Sequence, residues 1–232
     1  MSYKSHTNYP VNGQPPRRNT AACWLLLAFL LSCSPLLLAD SPDRQAGTIL
    51  VFGDSLSAAY RMDQPDGWVA LLEDRITAGQ LPYRVINASV SGETTSGGLA
   101  RLPAVLADYR PDIVILELGG NDGLRGIPVT AIRANLLAMI DLIEQSGATT
   151  ILAGIQIPPN YGPRYTEPFT RQYAAIARER DLVLIPFLLQ GIPENPDLMQ
   201  NDGIHPTAGA QTLVLDNVWP HLEKVMADAA GS

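Results

Sequence analysis

The sequence is poor in cysteine: its two cysteines, Cys23 and Cys33, both lie within the first 39 residues. Residues 40–232 therefore contain no thiol that could form a disulfide, bind a metal ion or act as a nucleophile. They also lack the glycine-rich motifs of nucleotide-binding proteins and the G-x-S-x-G motif of α/β-hydrolases. These absences argue against a thiol enzyme, a nucleotide-binding protein and an α/β-hydrolase fold.

Acidic residues are missing from the first 39 positions, which carry Lys4, Arg17 and Arg18 ahead of an apolar run from Ala21 to Ala39. A basic segment followed by an apolar one is typical of a secretory signal. We expect cleavage after Ala39, because the polar stretch from residue 40 to residue 47 resembles a short linker. Residues 1–39 then form the leader, and residues 48–232 form one globular domain.

Two other fates of the leader stay open. The segment "LLSC", which ends at Cys33, resembles the lipobox of bacterial lipoproteins, so Cys33 could become a lipid-modified N-terminus. The apolar run could also remain uncleaved as a membrane anchor, although Pro35 weakens it as a spanning helix.

Basic residues are scarce in the remaining chain. None of the 23 Asp and Glu residues precedes position 40, whereas three of the 16 Lys and Arg residues do. Residues 40–232 therefore carry 13 basic against 23 acidic side chains, a formal charge of −10. Phosphate backbones would repel such a domain, which argues against a nucleic-acid partner.

Short apolar runs alternate with segments of helical periodicity along residues 48–232. The runs predict five strands, at Thr48–Phe52, Arg84–Asn87, Ile113–Leu118, Thr150–Ile155 and Val183–Ile185. Strands without polar alternation are typical of a parallel sheet that is covered on both faces. The pattern predicts an α/β fold with three layers around a central, mainly parallel, five-stranded sheet.

The intervening helices are predicted from their apolar faces. Thr130 is the expected cap and Gly147 the stop of the helix that contains Ile132 to Ile143. Pro103 is expected in the first turn, or at a kink, of a helix over Leu99–Ala107, and the last helix is expected to break near Pro220.

Polar residues that suit acyl transfer follow these strands. Ser55 follows the first strand, Gly92 the second and Asn121 the third, while Asp202 and His205 end the loop after the fifth. A serine needs a neutral imidazole to accept its proton, and a carboxylate must orient that imidazole. The N–H groups of Ser55 and Gly92 and the amide of Asn121 could stabilise an oxyanion. Asp54, beside the serine, fits a loop brace better than the acid of the triad.

Five blocks in order resemble the GDSL, or SGNH, hydrolases: "FGDSLSAAY", "NASVSGETTSGGLARLP", "LELGGNDGLRG", "IPPNYGPRY" and "NDGIHPTAGAQ". They are most similar to the bacterial periplasmic branch of acyl-CoA thioesterases, lysophospholipases and arylesterases. The resemblance implies a flavodoxin-like three-layer fold, a catalytic triad of Ser55, Asp202 and His205, and an oxyanion hole of Ser55, Gly92 and Asn121. It implies no metal and no cofactor. With the leader, it also implies a periplasmic or secreted location, or a membrane-anchored lipoprotein.

The substrate is expected to be a small-molecule or lipid acyl ester or thioester, such as an aryl or alkyl ester, a lysophospholipid or an acyl-CoA. Residues expected to contact it are Asp54, Leu124, Ile157, Pro158 and Tyr161, with Ile127, Pro128 and Pro159 nearby. The same residues could instead simply cover the sheet ends. The alternatives are a carbohydrate-ester deacetylase on the same scaffold and a non-catalytic lipid-binding module. No obligate protein partner is evident, and lipidation of Cys33 would associate the protein with a membrane surface.

Overall fold

The computed structural model describes residues 46–231, and its central layer is a five-stranded sheet. The strands are β1 Gly47–Gly53, β2 Tyr83–Asn87, β3 Ile113–Glu117, β4 Thr149–Ala153 and β5 Val183–Ile185. Their order is β2-β1-β3-β4-β5, and all four pairings are parallel. This is the flavodoxin-like order. The predicted α/β fold with a five-stranded parallel sheet is therefore confirmed.

Six α-helices occur in the described chain: α1 Trp68–Ala78, α2 Thr95–Tyr109, α3 Gly120–Leu124, α4 Val129–Gln145, α5 Pro163–Glu179 and α6 Gln211–Ala230. Alternate residues of β1 face opposite sides of the sheet. Ile49 and Val51 pack with α1 and α6, whereas Leu50 and Phe52 pack with α2, α4 and α5. All four side chains are fully buried, so the sheet is sandwiched between two helical layers.

Three predicted helix details differ from the structure. Thr130 is the second residue of α4, and Pro128 precedes that helix without a side-chain cap. Pro103 lies in the middle of α2, and α6 continues through Pro220. Both prolines are exposed, while their helical neighbours Leu102 and Val218 are fully buried. Packing of α2 and α6 on the sheet therefore outweighs a proline penalty of about 3 kcal/mol.

The predicted leader, residues 1–39, and most of the predicted linker, residues 40–47, lie outside the described residues. Within residues 46–231, no helix combines the length and the apolar character needed to cross a bilayer.

Candidate active site

Ser55 lies just beyond the carboxyl end of β1, in a series of hydrogen-bonded turns. The N–H groups of Ser57 and Ala58 both donate to the carbonyl of Asp54, which closes the turn around Ser55. No α-helix begins at the serine, since the next α-helix starts at Trp68. Positive φ angles at Ala59 and Arg61 interrupt the helical path. A local turn, and not a helix dipole, therefore presents the hydroxyl.

His205 reaches Ser55 from the long loop between β5 and α6. Its Nε2 lies 2.8 Å from the Oγ of Ser55, and its Nδ1 lies 2.9 Å from Oδ2 of Asp202. Gly203, at φ 66°, allows the chain to turn between Asp202 and His205. The structure thus brings together the three residues that the sequence assigned to a triad.

Further contacts hold the loop that carries His205. The backbone N–H of Gln200 donates to the His205 carbonyl at 2.7 Å, and the Gln200 side chain donates to the carbonyls of Tyr60 and Pro206. The ring of Tyr60 packs on the imidazole with centroids 4.4 Å apart. The sequence reading missed Tyr60 and Gln200, because neither belongs to a motif for acyl transfer.

Asp202 holds the histidine with both carboxylate oxygens. Its Oδ1 accepts hydrogen bonds from the backbone N–H groups of Ile204 and His205, each at 3.0 Å. Partial burial acts to raise the pKa of Asp202, but these two N–H donors and the imidazole outweigh it and lower the pKa to about 2. The carboxylate is therefore ionised at neutral pH.

The expected oxyanion donors follow three different strands, β1, β2 and β3. Gly92 follows β2 with φ 81°, and a Cβ built there would have no neighbour within 4 Å, so the position needs glycine for its backbone angle and not for space. Asn121 lies in α3, immediately after β3, and its amide Nδ2 donates to Oδ2 of Asp54 at 3.0 Å. The backbone N–H groups of Ser55 and Gly92 donate no hydrogen bond to any residue of the described chain.

Asp54 lies beneath the serine and is 2% exposed. Its Oδ1 accepts the N–H of Leu56 at 3.0 Å, and its Oδ2 accepts the Asn121 amide. Burial raises the pKa of Asp54 to about 6, although these donors and His205 act to lower it. Both carboxylate oxygens of Asp54 thus accept hydrogen bonds from neighbouring residues of the site. This agrees with the sequence-based interpretation of Asp54 as a residue that stabilises the loop.

A cavity of about 300 Å³ opens beside Ser55 and His205. Among the predicted substrate contacts, Asp54, Leu124, Ile157, Pro158 and Pro159 line it, whereas Ile127, Pro128 and Tyr161 do not. Tyr161 instead donates its hydroxyl to the carbonyl of Leu124 at 2.8 Å. A second part of the wall comes from the loops after β5, with Phe187, Leu188, Leu189, Pro193, Glu194, Met199 and Ile204.

The sequence reading missed this second wall. The run Phe187–Leu189 follows β5 directly, so its place at the carboxyl edge of the sheet was the signal that could have found it.

Comparisons with known proteins agree with this arrangement. Residues 51–213 match the GDSL-like Lipase/Acylhydrolase family. The chain is 49% identical over 199 residues to "Esterase TesA" of Pseudomonas aeruginosa, covering 86% of this chain and 99% of that protein. It is 44% identical over 171 residues to "Thioesterase 1/protease 1/lysophospholipase L1" of Escherichia coli K12, covering 74% of this chain and 81% of that protein.

A solved structure supports the same assignment. The psychrotrophic esterase EstA from Pseudoalteromonas sp., described as inhibited by monoethylphosphonate, has a TM-score of 0.75 and 45% identity to this chain. The match covers 78% of this chain and 99% of EstA. The resemblance drawn from the sequence blocks is thereby confirmed, and the chain belongs to the GDSL-like lipase/acylhydrolase family.

Proposed function

We propose that this enzyme hydrolyses carboxylic esters and thioesters through an acyl-enzyme formed on Ser55. The observation that carries the proposal is the continuous relay from Ser55 Oγ to His205 Nε2 at 2.8 Å and from His205 Nδ1 to Asp202 Oδ2 at 2.9 Å. Family membership and relatives named as esterase and thioesterase support the reaction class.

The chemistry follows from this relay. His205 accepts the proton of Ser55 as the hydroxyl oxygen attacks the acyl carbon, and Asp202 stabilises the imidazolium that forms. The alcohol or thiol then leaves with the proton from His205. Water, activated by the same imidazole, attacks the acyl-enzyme and releases the carboxylic acid and free Ser55.

The oxyanion formed in both steps is stabilised by three donors: the N–H groups of Ser55 and Gly92 and the second N–H of the Asn121 amide. One such donor is typically worth about 3 kcal/mol of barrier. The Asn121 amide is held in place because its other N–H is bonded to Asp54. The oxyanion would therefore meet donors that are already oriented.

We assign the cavity beside Ser55 to the acyl chain. Leu124, Ile157 and Pro158 would contact the chain, as would the segment Phe187–Leu189. Each methylene removed from water there would contribute about 0.8 kcal/mol. Tyr161 acts on substrate only through Leu124, whose carbonyl it binds, and Asp54 acts through Asn121. The substrate classes are aryl and alkyl esters, lysophospholipids and acyl thioesters.

We also propose that residues 1–39 direct the chain out of the cytoplasm, to the periplasm or the medium. A lipid-modified Cys33 would instead hold the domain at a membrane surface. Mass spectrometry of the native N-terminus separates the outcomes: a chain beginning at Asp40 supports simple cleavage, and an acylated Cys33 supports the lipoprotein.

The replacement Ser55→Ala tests the catalytic proposal. We expect loss of nearly all esterase turnover and of labelling by a fluorophosphonate, with urea unfolding unchanged within about 1 kcal/mol. The replacement Ser96→Ala is the matched control, because Ser96 is exposed on α2. Substantial turnover in Ser55→Ala, or failure of the wild-type protein to react with the probe, would refute the assignment; the second result would favour a non-catalytic binding module.

A series of aryl esters from acetyl to dodecanoyl tests the substrate class. We expect kcat/KM to rise on the order of tenfold per two methylenes until the cavity is filled, because each group buries apolar surface. A maximum at the acetyl ester would contradict the acyl-chain assignment and favour a carbohydrate-ester deacetylase.

A further inference from the structure

A buried carboxyl lies under the turn that presents Ser55, and the mechanism above does not use it. Glu117, the last residue of β3, is 0% exposed. Its Oε2 accepts the N–H of Asp54 at 3.2 Å and the hydroxyl of Ser57 at 2.8 Å. Both donors flank the serine in sequence, so this carboxyl ties the turn to the central strand.

The other oxygen of Glu117 is unpaired. Oε1 is buried and has no hydrogen-bond partner within residues 46–231, and no ion pair to Glu117 is formed there. A buried carboxylate without a cation is costly, since burial disfavours the charged form. The surroundings therefore favour a protonated Glu117.

The neighbouring strand makes room for this side chain. Gly53 of β1 is in register with Glu117, and a Cβ at position 53 would lie 2.5 Å from Oε2 and 3.0 Å from the Ser57 hydroxyl oxygen. The glycine of "GDSL" is thus required by the carboxyl packed over it. Glu117 occupies a site built for it, not a gap in the core.

Glu117 and Asp54 interact in two ways: Oε2 of Glu117 accepts the Asp54 N–H, and the charge of the Asp54 carboxylate acts on the Glu117 carboxyl. The other ionisable groups that act on Asp54 are Asp122 of α3 and His205 of the triad loop, and the two carboxyls in turn raise the pKa of Tyr173 on α5. Two carboxylates this close in a buried site do not both ionise readily. Asp54 receives the N–H of Leu56, the Asn121 amide and the attraction of His205, all of which favour its anion.

Burial raises the pKa of Glu117 well above its usual range, and the charge of Asp54 raises it further. Burial also raises the pKa of Asp54, but only to about 6. At neutral pH the proton therefore resides on Glu117 and the charge on Asp54. A charged acceptor binds the Asn121 amide more strongly than a neutral one.

We propose that Glu117 is a positioning residue whose protonated carboxyl holds the Ser55 turn and leaves Asp54 ionised to orient the Asn121 amide in the oxyanion hole. This inference rests on the proposed roles of Ser55 and Asn121. Glu117 touches no reacting atom and acts through Asp54 and Ser57.

Two replacements at position 117 test the idea. Glu117→Gln is neutral, has nearly the same shape and retains an acceptor for the Asp54 N–H and the Ser57 hydroxyl. We expect its kcat at pH 7.5 to stay within threefold of wild type. Glu117→Ala removes the acceptor, so we expect kcat to fall at least tenfold with KM changed less than twofold. A tenfold loss in folded Glu117→Gln, or an unchanged kcat in Glu117→Ala, would overturn the proposal.

An infrared difference spectrum of wild type minus Glu117→Gln measures directly whether the Glu117 carboxyl is protonated. We expect the carbonyl-stretch band of a protonated carboxyl at pH 7.5, and its absence would overturn the proposal even if Glu117→Ala fails to fold. Fluorophosphonate labelling of the same samples distinguishes a failure of the Glu117 proposal from a failure of the proposed function. Labelled, active wild-type protein without the band refutes only the role of Glu117, whereas unlabelled, inactive wild-type protein refutes the proposed function.

Discussion

Asp202 illustrates how a single residue can combine orientation with charge. Its Oδ1 holds the local backbone at Ile204 and His205, while its Oδ2 faces the imidazole. With a pKa lowered to about 2, it keeps its charge across the whole range in which the enzyme could work. A loss of activity between pH 4 and pH 7 must therefore come from other groups, such as Asp54.

The replacement Asp202→Asn separates these two roles. The amide oxygen can still accept the backbone N–H groups, but its NH2 opposes the Nδ1–H tautomer that catalysis requires. We expect kcat to fall by about 10⁴, the size of the equivalent change in a serine protease, with little change in KM. Steady-state kinetics on a fluorogenic ester measure it. The exposed Asp108→Asn on α2 is the matched control and should retain wild-type kcat.

At the scale of elements, the geometry of the oxyanion hole depends on the hydrogen bonds between α2 and α3. Asp122, next to Asn121, accepts the backbone N–H of Thr95 at 2.9 Å and its hydroxyl at 2.6 Å. The same hydroxyl accepts the amide of Asn135 on α4 at 3.0 Å. Thr95 and Asp122 are both buried, and Gly92 precedes Thr95 by three residues. This junction therefore fixes the spacing between the Gly92 and Asn121 donors.

Removal of the Thr95 hydroxyl should loosen that junction. Thr95→Val keeps the volume but leaves Asp122 and the Asn135 amide each without one partner, so we expect a loss of about 1–3 kcal/mol in the free energy of urea unfolding. We also expect a severalfold lower kcat, because two donors lose their common support. Thr130→Val, at an exposed position of α4, should change stability by no more than about 0.5 kcal/mol. Equal effects of the two replacements would refute this role of Thr95.

The elements were predictable to different degrees. Strands β1 to β5 were located within two residues of their observed ends, because buried parallel strands are continuous apolar runs between turns. Helix ends were less predictable. The expected cap at Thr130 and the expected break at Pro220 were local inferences, whereas packing of α4 and α6 on the sheet decides the outcome. The same holds for the turn after Ser55, where positive φ angles have no clear sequence signal.

At the scale of the whole molecule, the parallel sheet explains why so much of the site could be predicted. Parallel strands end at one edge, so residues that follow β1, β2, β3 and β5 must converge there. Residues that do not follow a strand end, or that carry no motif, escaped this reasoning. Glu117 looked like part of an apolar strand, and its partners depend on the register between β1 and β3. The wall from residue 187 to residue 204 depends on how a long loop folds back over the sheet.

The distribution of charge over the molecule predicts how its stability depends on pH. Residues 40–232 carry 13 basic and 23 acidic side chains, and two of these carboxyls, Asp54 and Glu117, are buried with raised pKa values. Because their pKa values are higher in the folded state, the folded state binds more protons than the unfolded chain above pH 4. Stability therefore falls as the pH rises through this window. For Asp54 the shift from 3.8 to about 6 corresponds to about 3 kcal/mol.

Urea unfolding from pH 5 to pH 8.5 measures this fall in stability. High salt separates the contribution of surface charges from that of the buried carboxyls. At 1 M NaCl the Debye length is about 3 Å, so repulsion among surface charges is largely removed while the buried pair is not screened. We expect a downward slope that persists in high salt in the wild-type protein. Above pH 7, where Asp54 is ionised, that residual slope belongs to Glu117, so Glu117→Gln should remove it, while the exposed Glu223→Gln should not. A wild-type stability that stays constant or rises from pH 5 to pH 8.5 in 1 M NaCl would show that the buried carboxyls keep ordinary pKa values.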